Sequence, residues 1–173
     1  MSLVLSGDTG VQGNSGAFVA GTAVASTSGT SIDFTSIPSW VKRITVMFSG
    51  FSTSGTSITL VQIGDSGGIE NTGYLGTTTS FASSTVGVSA AVTTGFSLLT
   101  NNAASLYNGT ATICLLDAAT NLWCFNGSIA SSADARQAIG SSSKSLSGTL
   151  DRIRITTVNG TDTFDAGSIN ILY

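Results

Sequence analysis

The segment Arg152-Ile153-Arg154-Ile155-Thr156 alternates polar and apolar residues at every step. Only an extended strand turns that pattern into two distinct faces, because successive side chains on a strand point to opposite sides. Ile153 and Ile155 then face a core, while Arg152, Arg154 and Thr156 face out. Asn159-Gly160 follows, and both residues tolerate positive φ, which predicts a type I′ hairpin there. Lys42-Arg43-Ile44-Thr45-Val46-Met47-Phe48 repeats the alternation, with Ile44, Val46 and Phe48 on one side. Further strands are expected at 57–63, 95–99, 109–116, 122–130 and 168–173, separated by Gly, Ser, Thr and Asn turns. No segment carries a helical period. The expected fold is all-β: one antiparallel β-sandwich, jelly-roll-like, over residues 29–173.

Residues 109–130 are the most informative stretch. Folded as a hairpin about Ala119, they set Leu115 opposite Trp123, Ile113 opposite Phe125 and Cys114 opposite Cys124. Ile113, Leu115, Trp123 and Phe125 then form a core face. The other face carries Cys114, Leu116, Leu122 and Cys124, and it is apolar as well. A sheet with one solvated side alternates with polar residues, so something must cover this second face: a loop of the same chain or, as expected here, another subunit. The two cysteines lie within disulfide reach if directly opposed, although buried free thiols are the expectation for a protein assembled in a cytoplasm. Three Asn-Gly-Ser/Thr triplets, at Asn108, Asn126 and Asn159, read as turn sequence.

Residues 1–28 differ from the rest. Glycine recurs at short, irregular intervals, and Leu3, Val4, Leu5, Val11 and Phe18 are too scattered to define a face. Such a segment is an arm that orders against a partner, or else a floppy terminus; the five apolar residues are its candidate anchors. Its first residues have no basic region ahead of an apolar stretch, so no secretory leader is expected. Nor does any apolar run reach the length that spans a membrane.

Chemistry is scarce. The chain has no histidine, six Lys and Arg, nine Asp and Glu, and a net charge of −3. Gly64-Asp65-Ser66-Gly67-Gly68 matches the nucleophile loop of trypsin-like serine proteases, but the imidazole that activates such a serine is missing. Ser66 therefore reads as a turn residue. The acidic residues, almost all aspartates, sit largely beside Gly, Asn, Ser or Thr, where Asp closes turns. No His, CxxC or EF-hand pattern offers metal ligands. No enzyme activity, cofactor or metal is expected. The low basic content argues against nucleic-acid binding. At 41% hydrophobic residues the chain still buries a core. Among exposed aromatics, Tyr74 in Asn71-Thr72-Gly73-Tyr74 is the candidate loop-borne contact residue, whereas Trp40 is expected to plug one end of the sandwich.

Two stretches carry a resemblance. Ile37-Pro38-Ser39-Trp40-Val41-Lys42-Arg43-Ile44-Thr45-Val46-Met47-Phe48, and the run from Lys144 to Tyr173, resemble a family of tailed-bacteriophage and prophage virion proteins of tail-fibre-like type. The opening Leu3-Val4-Leu5-Ser6-Gly7-Asp8-Thr9-Gly10 is similar to the start of several phage fibre proteins. The resemblance covers most of the chain from residue 30 on and brings no catalytic residues with it. It implies a virion structural role, with the protein assembled in the host cytoplasm. The expectation is a homotrimeric tail-fibre or tail-appendage subunit, joined to other virion proteins through residues 1–28 and meeting a host surface glycan or protein. A capsid decoration protein and a non-catalytic carbohydrate-binding module are the alternatives.

Overall fold

The computed structural model describes residues 18–82, 85–133 and 135–173, residues 85, 86 and 88 by their backbone. Among the described residues there are thirteen strands and no helix: β1 (Val24–Ala25), β2 (Ile32–Phe34), β3 (Arg43–Thr53), β4 (Thr59–Asp65), β5 (Gly68–Ile69), β6 (Leu75–Ala82), β7 (Thr85–Ala91), β8 (Phe96–Leu98), β9 (Tyr107–Asp117), β10 (Leu122–Ser131), β11 (Arg136–Ser145), β12 (Arg152–Thr157) and β13 (Phe164–Leu172). An eight-stranded sheet runs β1-β13-β3-β9-β10-β11-β6-β7. A smaller one runs β2-β12-β4-β5, with β8 also paired to β4. All pairings are antiparallel.

The alternation in the sequence explains how the two sheets meet. Ile44, Val46, Ile113, Phe125 and Ile129 of the large sheet share one core with Val61, Ile63, Phe96, Ile153 and Ile155 of the small one. Phe96 stacks on Phe125 at 4.8 Å, and Tyr74 meets Phe96 edge-on at 4.9 Å. Both are favourable ring geometries. The hairpin register is the one the sequence predicts: Trp123 opposite Leu115, Cys124 opposite Cys114, Phe125 opposite Ile113.

The corner at Asn159-Gly160 differs from the expected hairpin. Gly160 has φ 66°, but Asn159 is not in the left-handed region. β12 pairs with β2 and β4, whereas β13 pairs with β3 and β1. The segment therefore carries the chain from one sheet to the other. Asn159 organises that crossing, its Oδ1 accepting from Thr157 Oγ1, Thr161 N and Asp162 N. Asn108-Gly109 and Asn126-Gly127 are not turns either; they lie inside β9 and β10. Gly127 is there because a Cβ would come within 2.8 Å of Leu98.

β6 and β11 escape the periodicity altogether. Their inward residues include Thr78, Ser80, Ala138 and Gly140. Here β8 approaches so closely that a Cβ on Gly140 would lie 2.3 Å from the carbonyl oxygen of Ser97. Thr78 Oγ1 accepts from Leu99 N and donates to the Ile139 carbonyl, both at 3.0 Å. Small polar residues satisfy the backbone at this seam, where large apolar ones would not fit.

Part of the expected arm belongs to the sheet. Val19 and Tyr173 exchange backbone hydrogen bonds, Gly21 N donates to Ile171 O, and Val24 and Ala25 pair with Ile169 and Ser168. Ser26 is fully buried, with its Oγ donating to Ala166 O. Leu3, Val4, Leu5 and Val11 lie outside the described residues.

Candidate functional site

The covered face expected from the sequence comprises Cys114, Leu116, Leu122 and Cys124. All sit on the outer side of the β9–β10 hairpin, opposite Ile113, Trp123 and Phe125. A bulge between Leu122 and Trp123 puts Leu122 opposite Asp117, which leaves Leu116 without a cross-strand partner and 67% exposed. Asp117 closes the turn by accepting from Thr120 Oγ1 and then Ala119 N, and these bonds, the Thr120 hydroxyl first, hold its carboxyl below the usual aspartate value. The two cysteines are free thiols, half-buried and directly opposed.

Around this hairpin the outer face of the large sheet continues as a field of neutral residues. Thr45, Thr112, Asn126, Ser141 and Thr77 stand in one cross-strand row. Met47, Thr110, Ser128, Ile139 and Thr79 form the next. Side-chain hydrogen bonds link neighbours across the strands of this face: Asn126 Nδ2 to Ser141 Oγ within the first row, Thr79 Oγ1 with Ser89 Oγ at the end of the second, and Gln137 Nε2 to Ser128 Oγ beside it. Neither row contains a charge; Arg43, opposite Cys114, stands at the border. Leu75 (71% exposed), Phe81 and Ile139 add apolar area from β6 and β11. These three were not recognised from sequence, because strands whose inner residues are small and polar give no alternation to read. Charge depletion with exposed aliphatic and aromatic side chains is the composition of an interface centre.

Tyr74 is a correction. It is fully buried, not a surface contact. Its hydroxyl accepts from Ile63 N at 2.9 Å and donates to Glu70 O at 2.8 Å, and burial pushes its phenol pKa up. The glycines before it make a loop, but the ring turns inward because Phe96 and the core offer apolar contact. Lys144 Nζ lies 5.7 Å from the centre of its ring and pairs with Glu70. Burial alone would raise the Glu70 carboxyl; the bonds from Lys144 and from Ser147 outweigh it and hold the group low. Asp65 is lowered chiefly by the Ser147 hydroxyl at 2.6 Å, then by Gly67 N–H.

These contacts explain the Gly64–Gly68 motif. It forms the tight connection between β4 and β5, with Asp65 opposite Gly68 and Ser66 exposed at the tip. Asp65 orders the turn and the facing loop and has no imidazole to orient. Among the described residues no group of three or more His, Cys, Asp or Glu is placed to hold a metal ion.

Phe18 is 77% exposed, and Trp40, expected to be a plug, is 40% exposed with its ring 5.9 Å from that of Tyr173. Trp40 precedes β3, and the core below it is already closed by Val41 and Ile37. No family model, curated protein or solved structure matches the chain.

Proposed function

We propose that the chain is a bacteriophage virion structural protein, a tail-fibre or tail-appendage subunit that works as a homotrimer in attachment. The observation that carries this reading is the outer face of the eight-stranded sheet. It is broad, hydrogen-bonded within itself, nearly uncharged, and carries the exposed side chains of Leu75, Phe81, Leu116 and Ile139. A face of that composition is built to be covered. The resemblance of residues 37–48 and 144–173 to virion proteins supplies the biological setting, and symmetric association is the common way a small subunit covers such a face. Host surface glycan or protein is the proposed target of the assembled appendage. The carbohydrate-binding-module alternative loses its loop-borne platform, because Tyr74 is internal.

The test is direct. Antibody raised against the isolated chain is imaged on intact particles of a phage encoding it. Label on the tail appendage supports the proposal. Label on the capsid transfers the role to shell decoration, and particles free of the chain sink the virion reading.

A further inference from the structure

We infer that the outer side of the small sheet holds a binding site for a neutral, hydroxyl-rich ligand of about one pyranose ring. The inference rests on a cleft and does not depend on the virion reading. Leu60 and Gln62 alternate with the core residues Val61 and Ile63 and so point away from the core. Even so, both are buried, Gln62 to 7% exposure, because the segment through Thr94 and Gly95 folds over them. Between that segment and the Thr157–Gly160 corner lies a cleft of about 330 Å³, with Leu60, Gln62 and Thr156 among its lining. That volume suits a small ligand.

The hydrogen-bonding groups define the ligand. Gln62 Nε2 donates to the Thr94 carbonyl at 2.8 Å. A carbonyl can only accept, so the amide orientation is fixed and Oε1 is the atom left over. No described residue donates to it, and because Gln62 lines the cleft this acceptor is open to a donor entering there. Arg154 also lines the cleft, but its charge is already matched. Its Nε and Nη2 bind both oxygens of Asp33 at 2.7 Å. An anion would have to compete with that fork, whereas a hydroxyl can use the guanidinium protons that remain. Asn71 and Ser31 add neutral groups at the rim. No acidic residue lines the cleft, so a cationic ligand finds no partner.

Saturation-transfer NMR on the full chain tests this, with neutral hexoses and N-acetylhexosamines as one arm and phosphate, sulfate and acetate as the other. At least one neutral pyranose should bind saturably in the millimolar range, and no anion should displace it. Gln62→Leu should weaken binding at least about tenfold, since the fixed acceptor is gone. Ser31→Trp should block the cleft from its rim while leaving the melting transition unchanged, which covers the case in which Gln62→Leu fails to fold. Retention of sugar binding in the folded variants would overturn the site. So would tighter binding of an anion, or no contact from any neutral pyranose in the panel.

Discussion

The Tyr74 hydroxyl is the residue-scale joint between strand β4 and the segment that follows β5. It receives the Ile63 amide and gives its proton to the Glu70 carbonyl, both inside the protein. Tyr74→Phe leaves the ring and removes the bonds, so the Ile63 amide is stranded. The expected loss is about 1–3 kcal/mol, read as a lower urea midpoint with an unchanged slope. A change below experimental error would mean that water replaces the hydroxyl. Asp65 and Glu70, in the same region, predict the acid response. Both titrate below their ordinary values of 3.8 and 4.5 in the folded state. The unfolded chain therefore binds more protons in that window. The stabilisation is complete above those values and is lost as the pH falls through the lower folded ones. Ser147→Ala removes the main bond to Asp65 and should cost about 1 kcal/mol at neutral pH. The difference from wild type should shrink towards nothing in acid, once Asp65 is protonated in both; a constant gap across pH would assign the cost to packing.

At the scale of elements, the strands that were legible are those whose inner residues are large. β3 and β12 alternate Ile, Val and Phe with more polar residues, and in the β9–β10 stretch Ile113, Leu115, Trp123 and Phe125 mark the inner face, so that folding it about Ala119 sets the Cys114–Cys124 register. β6 and β11 carry no such signal. Their inner side is set by the close approach of β8, which selects Gly140, Ala138 and Thr78 for size. A Ser- and Gly-rich run therefore reads as turn material while forming an interior strand of a sheet. The crossing at Asn159-Gly160 misled for a related reason: local turn chemistry does not say which strand comes next in space. Gly140 offers the test. Gly140→Val would drive a Cβ into the Ser97 carbonyl, which is backbone and cannot swing aside; overpacking of this kind costs roughly 1–3 kcal/mol. Ser141→Val, on the exposed side of the same strand, should change stability by no more than about 0.5 kcal/mol. Thermal melts of the two variants measure the contrast. Equal effects would mean that β8 does not press on β11.

At the scale of the whole molecule, the two sheets have opposite outer faces. The small sheet is covered by its own loops over Leu60 and Gln62 and displays the Arg154–Asp33 pair. The large sheet displays neutral rows with Leu75, Phe81, Leu116 and Ile139 uncovered. Sequence alone pointed to this side through Leu116, Leu122, Cys114 and Cys124, but β6 and β11 stayed hidden, and with them most of the apolar area. If this face joins subunits, the intact protein sediments as a trimer. Leu116→Asp should then leave the fold of each subunit intact, because its side chain already stands mostly in water there. In the assembly the same carboxylate would be buried without a partner. A cost of about 3 kcal/mol per contact raises the dissociation constant roughly a hundredfold. Val158→Asp, exposed at the sheet-crossing corner, adds the same charge away from this face and should leave the trimer unchanged. Circular dichroism separates loss of assembly from loss of fold. A wild-type chain that sediments as a monomer, or a trimer indifferent to Leu116→Asp, would remove this face from the interface and leave its covering to a different protein.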